Sequence, residues 1–238
     1  MRQKIRKGMI LCTFFLFPAV FYYLSPYLIV EATSKGIISG SFIIFTLFFI
    51  SSFILGRAYC GWICPAAGCQ EAIAQVRTKK VTKGNFIKWL IWIPWMTLIA
   101  FVAIKNHAYQ KVDFFYQTTN GFSVGDFASF ITYLFVLLLI VLPAFIVGRR
   151  SFCHHICWMA PFLIIGRKIR NIFGWASLHL KAKPDLCIHC HTCSENCPMS
   201  LPVEQMVKSN KMENTECILC ATCVDGCESK AIGLGIVK

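Results

Sequence analysis

The C-terminal part of the chain reads "CIHCHTCSENCPMS" from Cys187 and "CILCATCVDGCESK" from Cys217, and no other feature leaves the fold so little freedom. Both runs are Cys-x2-Cys-x2-Cys-x3-Cys. Three thiolates spaced this tightly curl around one face of a four-iron cubane, and the fourth, beyond a turn, reaches the other cluster of a pair. On that rule Cys187, Cys190, Cys193 and Cys227 form one ligand set, and Cys217, Cys220, Cys223 and Cys197 form the other. Zinc is the competing metal, but it asks for separated pairs of ligands rather than two tight fours.

The double spacing is that of a bacterial-type 2[4Fe-4S] ferredoxin, so residues 184–238 are expected to form a small α+β domain of that type. Two [4Fe-4S] clusters are the implied cofactors. One position departs from the pattern: Pro198 follows Cys197, whereas Glu228 follows Cys227. That predicts a changed turn, or altered solvent access at the first cluster, without loss of a ligand. His189 and His191 lie between ligands and either hydrogen-bond cluster sulfur or belong to the loop surface.

The remaining residues are too apolar for a soluble domain, since the whole chain is 56% hydrophobic and 15% charged. Four segments, near 8–30, 38–56, 86–104 and 128–148, are mostly apolar over about 18 residues or more and contain no acidic residue. A signal peptide competes for the first of them, but that stretch is too long and shows no small-residue cleavage site. Of 24 basic residues, 21 fall before the first segment, between Arg57 and Lys88, or from Arg149 onward; the other loops hold Lys35, Lys105 and Lys111. Short cytoplasmic loops retain positive charge. Both ends, and every cysteine but Cys12, are therefore expected on the cytoplasmic side of the cell inner membrane. In that reducing compartment spaced thiols serve as metal ligands rather than disulfides. The net charge of +13 has the same source, so nucleic acid is not an expected partner. Spans without acid also argue against proton pumping.

The expected architecture is an all-α membrane four-helix bundle of two pseudo-repeated hairpins (1–160), an amphipathic interfacial linker (161–183) and the ferredoxin domain (184–238). Charge changes at that last boundary: residues 1–183 hold 20 basic and 4 acidic residues, and 184–238 hold 4 and 7. Each half of the bundle is two spans followed by Gly-Arg and Cys-x3-Cys, in "GRAYCGWICP" from Gly56 and "GRRSFCHHICWMAP" from Gly148. The match is imperfect, with Cys60 three residues after Arg57, Cys153 four after Arg149, and Pro161 delayed relative to Pro65.

Packing of the two hairpins would bring Cys60, Cys64, Cys153 and Cys157 together. Four thiolates are the number a further iron–sulfur cluster needs. They could instead be two redox-active dithiols, or packing residues beside a quinone pocket. Cys69 is near enough to substitute as a ligand, although it and Cys12 read as packing residues. His154, His155 and Glu71 are the candidates for taking protons from a quinone. Trp62, Trp89, Trp92, Trp95 and Trp158 read as interfacial or packing aromatics. The loop from Lys105 to Phe127, with His107, Asp113 and Asp126, suits docking of a partner but not catalysis.

"GRAYCGWICP", a second Cys-x3-Cys after the fourth span and the double four-cysteine tail together resemble the NapH family over essentially the whole chain. That family supplies membrane subunits of quinol dehydrogenases that feed periplasmic nitrate reductase. The resemblance implies electron transfer between menaquinol or ubiquinol and a partner iron–sulfur or haem protein, within a lipid membrane. Similar membrane ferredoxins accompany nitrous-oxide reductase and copper-oxidase assembly. Two rival functions therefore stand: a quinone-independent transmembrane electron conduit from cytoplasmic ferredoxin to an outside reductase, and a redox or metal-reducing assembly accessory.

Overall fold

A computed structural model describes residues 1–106 and 109–237. Proline and glycine set where its helices begin and end. Helix α1 (Arg2–Phe15) stops at Leu16, and α2 (Phe17–Val20) runs on into a 3-10 turn (Phe21–Leu24). The axis bends by 60° at this break. Pro18, in the first turn of α2, has no N–H to give and clashes with the preceding turn. Ser25 caps α3 (Pro26–Ser34) by accepting from the Leu28 N–H, and strand β1 (Ile37–Ser39) leads into α4 (Gly40–Leu55). Gly56 ends α4 at a φ of +54°, a conformation glycine adopts without a Cβ penalty. Short helices α5 (Ala58–Trp62) and α6 (Pro65–Ala74) follow. The second half repeats the order with α7 (Ile87–Lys105), strand β2 (Lys111–Asp113), α8 (Phe127–Ile146), α9 (Ser151–His155) and α10 (Ala160–Phe173).

Among the described residues two helices, α7 and α8, are long and apolar enough to cross a membrane, and the bent α1–α2 pair makes a third if it counts as one span. The apolar α4 has 16 residues. Of the four expected spans, then, two are single full-length helices, one is bent and one is short. Apolar runs in a sequence report composition; they do not report the bend at Pro18 or the stop at Gly56.

Helix α10 lies across α4. At Gly166 a Cβ would come within 3.0 Å of the Phe49 carbonyl and would run into Ser52, so the crossing needs glycine. Residues 161–183, expected as an interfacial linker, comprise most of α10 and strand β3 (Ser177–Ala182). The buried side of α10 carries Leu163, Ile164, Arg167 and Arg170. At the other end of the bundle β1 pairs in parallel with β2, Ile37 opposite Lys111. Asp126 caps α8 by accepting from the Ser129 N–H at 2.9 Å, and Asp113 accepts from the Phe115 N–H at 3.2 Å. Both acids of the proposed docking loop therefore serve local structure. His107 lies outside the described residues.

In the tail, β3 pairs antiparallel with β4 (Ile232–Val237), from Ser177 opposite Val237 to Ala182 opposite Ile232. Between them come helices α11 (Thr192–Glu195), α12 (Val203–Lys208) and α13 (Thr222–Asp225). The two cysteine runs share one backbone path. His189, His191 and Ser200 have positive φ, and so do Leu219, Ala221 and Lys230, at matching offsets from their cysteines. Ser200 N–H donates to the Cys197 carbonyl at 3.0 Å, and Lys230 N–H to the Cys227 carbonyl at 3.1 Å. The turn expected to change at Glu228 is thus the turn found after Pro198.

Candidate metal centres

Each tail run wraps a hollow, and the hollows take their walls from both runs. One is lined by Cys187, Cys190, Cys193 and Cys227. The other is lined by Cys217, Cys220, Cys223 and Cys197. The crossover arises because each fourth cysteine lies beyond its short helix, where the chain has turned toward the other run. The second hollow is walled by Leu180, Met199, Met206 and Ile218, and burial drives the Cys217 thiol up to about 12. The first is more open: Cys190 is exposed, and a hydrogen bond with Thr192 lowers its pKa. His189 and His191 both turn to Glu204, with Nδ1 at 3.3 Å and 3.0 Å from its carboxylate oxygens. Among the described residues no three His, Cys, Asp or Glu side chains converge on a single metal ion. The thiols surround volumes, as multinuclear clusters require.

Cys60, Cys64, Cys153 and Cys157 are all buried, on or just after α5 and α9. Arg150, at the start of α9, donates to the Cys60 carbonyl at 3.2 Å, so the two cysteine-bearing segments lie side by side. Burial pushes the Cys64 thiol well up and Cys157 to about 12, and neighbouring thiols add to both shifts. Cys60 is raised by burial too, with Arg57 opposing it. Such thiols give up their protons only to a group that binds the sulfur. Gln70, fully buried, donates to the Cys153 sulfur at 3.3 Å and accepts from the Phe152 N–H at 3.2 Å, tying α6 to α9.

Two arginines that sequence reasoning passed over complete the site. Arg57 directly precedes α5 and Arg150 directly precedes α9, each three residues before the first cysteine of its pair. The halves are therefore in register through Arg150, not through Arg149. Arg57 donates to Glu216 at 2.6 Å, and Glu216 also pairs with Lys88 at 2.6 Å. Arg150 pairs with Glu71, which Arg6 holds from the other side at 2.7 Å. Each guanidinium keeps buried donors with no partner: Nε and Nη2 of Arg57, and Nε of Arg150. An orphaned buried donor costs about 1–3 kcal/mol. Beside four thiols, those donors and charges fit an anionic, sulfur-rich group.

The tail docks directly on this site. A Cβ at Gly61 would lie 2.3 Å from the Ile218 carbonyl, so the loop between Cys60 and Cys64 touches the loop between Cys217 and Cys220. Trp62 Nε1 donates to the Leu219 carbonyl at 3.1 Å, and Gln3 donates to the Cys220 carbonyl at 3.0 Å. Cys60 and Cys153 share an apolar core with Ile218 and Leu219, while Cys64 and Cys157 belong to the core of the helices.

Of the three expected proton carriers, His154 and His155 are neighbours on α9, with ring centroids 6.3 Å apart, and Glu71 is on α6. Glu71 is engaged by two arginines, which outweigh burial and lower its pKa. His155 meets the Lys83 carbonyl at 2.9 Å. His154 donates or accepts at Nδ1 with Asn85 at 2.6 Å, while its buried Nε2 has no partner, and burial drives its pKa down to about 3. It lines a cleft of about 530 Å³ with Asn85, His191 and Glu204. Cys69 packs in the helical core, and Cys12 is exposed on α1 rather than packed. Trp62, Trp95 and Trp158 each spend Nε1 on a backbone carbonyl, and Trp92 packs edge-on against Phe162.

Comparison with known proteins agrees with this division. The 4Fe-4S binding domain matches residues 39–84 and 129–175, and the 4Fe-4S dicluster domain matches residues 186–232. YccM of Escherichia coli (strain K12) is 22% identical over 84% of this chain and 57% of its own length. Protein NirI of Paracoccus denitrificans (strain Pd 1222) is 24% identical over 76% of the chain and 26% of its own length. The methylamine utilization ferredoxin-type protein MauN of the same organism is 26% identical over 71% of the chain and 56% of its own. The chain thus spans little more than half of YccM and MauN, and about a quarter of NirI. No solved structure matches. The two domain descriptions take in thirteen of the fourteen cysteines, all but Cys12, and the chain is accordingly an iron–sulfur protein, with a 4Fe-4S binding region in its helices and a 4Fe-4S dicluster domain in its tail.

Proposed function

We propose that the chain is a membrane-bound electron relay between the quinone pool and a redox partner protein, with both ends on the cytoplasmic side. Cys187, Cys190, Cys193 and Cys227 would hold one [4Fe-4S] cluster, and Cys217, Cys220, Cys223 and Cys197 a second. Cys60, Cys64, Cys153 and Cys157 would hold a third. Bound there, such clusters supply one-electron exchange and no substrate chemistry of their own.

The observation that carries this reading is the meeting of two buried cysteine pairs, joined where Arg150 donates to the Cys60 carbonyl, against the Cys217–Cys220 loop. Gln70, Arg57 and Arg150 keep those thiols fixed and their charge balanced. Gly61 allows close approach of the two loops. Cys190 is exposed and gives a soluble partner its nearest access. A quinone is supported by the apolar α7 and α8 and by the unpartnered Nε2 of His154 in its cleft. His155 and Glu71 have weaker support, since each is already engaged.

Iron and acid-labile sulfide, counted on anaerobically purified protein, test the ligand sets. About twelve irons per chain, falling to about eight in Cys60→Ser/Cys157→Ser, is the expected result at four irons per cluster. About eight in both proteins would remove the third cluster and return the four thiols to packing or dithiol roles. Reduction of the visible chromophore by a soluble quinol analogue tests the quinone partner.

A further inference from the structure

Between α1, α6 and the start of α9 lies a cleft of about 390 Å³ whose Lys7 and Arg149 no step of the relay uses. Four cations line it, Arg6, Lys7, Arg149 and Arg150, against the single carboxylate of Glu71. That carboxylate is spent. Arg6 Nη1 and Nη2 donate to its two oxygens at 2.7 Å and 3.0 Å, and Arg150 takes the first oxygen as well. Lys7 and Arg149 have no carboxylate partner among the described residues. Arg149 donates through Nε to the Ser200 hydroxyl at 3.3 Å, yet its Nη2 is buried with no acceptor. The cleft therefore has an unmet demand for negative charge and for acceptor oxygens.

Its shape says more. Arg6 and Lys7 sit one turn before Ile10 and Leu11 on α1, where the basic start of the helix becomes apolar, and Leu11 is exposed. One end of the cleft is basic and the other oily. The tail adds Asn196 and Thr222 to the walls of the cleft. An amphipathic anion fits both ends, whereas a free anion would use only one.

We propose that this cleft binds the phosphate of an anionic phospholipid, with Lys7 and Arg149 donating to its oxygens and its acyl chains running along Leu11. The proposal rests on the membrane reading above. Because the walls come from α1, α6 and the tail, the lipid would help fasten the tail to the helices.

Cluster-loaded protein in nanodiscs tests it, with the thermal midpoint for loss of visible absorbance as the readout. Discs containing phosphatidylglycerol should raise the midpoint above that in pure phosphatidylcholine discs. Lys7→Gln, at an exposed position that cannot disturb folding, should lose most of that rise, and Lys7→Gln/Arg149→Gln all of it. Lys4→Gln, on the same helix but outside the cleft, should keep it. Equal loss in Lys4→Gln would mean general surface charge and overturn the site, as would the absence of any rise. If inorganic phosphate in phosphatidylcholine discs reproduces the rise, the occupant is a free anion and the lipid assignment fails. Native mass spectrometry gives a second readout: a retained phospholipid in the parent protein, absent in the double variant.

Discussion

Arg57 and Arg150 occupy one position in two copies: each is three residues before a buried cysteine, each precedes a five-residue helix, and each is at most 1% exposed. Their carboxylate partners differ. Arg57 reaches Glu216 in the tail, and Arg150 reaches Glu71 in α6.

Charge at these triads should dominate their response to mutation. Arg57→Gln leaves Glu216 still paired with Lys88, so the expected cost is about 1–3 kcal/mol, the scale of one lost buried hydrogen-bonding partner. Glu216→Gln strips the carboxylate from two buried cations at once and should cost more, about 3–5 kcal/mol. Thermal midpoints of cluster-loaded protein rank the two variants. The reverse order would mean the triad is not balanced through Glu216.

Gly61→Ala should loosen the tail from the helices. Its Cβ would sit 2.3 Å from the Ile218 carbonyl, and backbone on both sides leaves no flexible side chain to give way. Overpacking of this kind costs about 1–3 kcal/mol. Hydrogen exchange at Ile218–Cys220 should quicken while exchange in α8 stays as it was. Unchanged exchange at the loop would show that the contact does not fasten the tail.

Acid should weaken the structure through Glu71 and Glu213. Burial pushes both carboxylates up, but Arg150 and Arg6 outweigh it at Glu71, and Arg167 and Asn171 at Glu213, leaving both below the ordinary 4.5. A group whose folded pKa is depressed stabilises fully above its unfolded value and loses that contribution as pH falls through the folded one. Stability from these pairs is therefore complete above about 4.5 and fades below it. Glu71→Gln/Glu213→Gln should be less stable near neutral pH and should show a shallower acid limb. Parallel acid limbs for the two proteins would refute the assignment.

Glu204 places a negative charge on the rim of the Cys187 hollow. Reduction of a cluster held there adds an electron, so Glu204→Gln should raise the midpoint potential of such a cluster and leave one held in the Cys217 hollow nearly unmoved. Redox titration followed by electron paramagnetic resonance separates the two signals. A joint shift of both would point to a general change in the fold.

The tail was largely legible because thiol spacing fixes which cysteines line each hollow and the path of the chain between them. Even Glu228 proved a change of side chain on an unaltered turn. The meeting of Cys60, Cys64, Cys153 and Cys157 was legible from the repeat, but the repeat was read one residue out of register. Arg149 and Arg150 are adjacent and identical in type, so only burial shows which one faces the thiols. Span lengths were less legible, since hydropathy does not register the 60° bend at Pro18 or the early stop at Gly56. The pairing of Glu71 was not legible, because ion pairs formed across 65 and 79 residues leave no local trace.

Glu216 is made last of its triad. The chain is made from its N-terminus, so Arg57 and Lys88 are synthesised first, and their shared carboxylate lies more than a hundred residues beyond Lys88. A chain cut short before Glu216 would carry two cations with nothing to neutralise them. The electrostatic balance of the junction thus depends on a residue near the far end of the polypeptide, and neutralisation of Arg57 and Lys88 is completed only after nearly all of it has emerged.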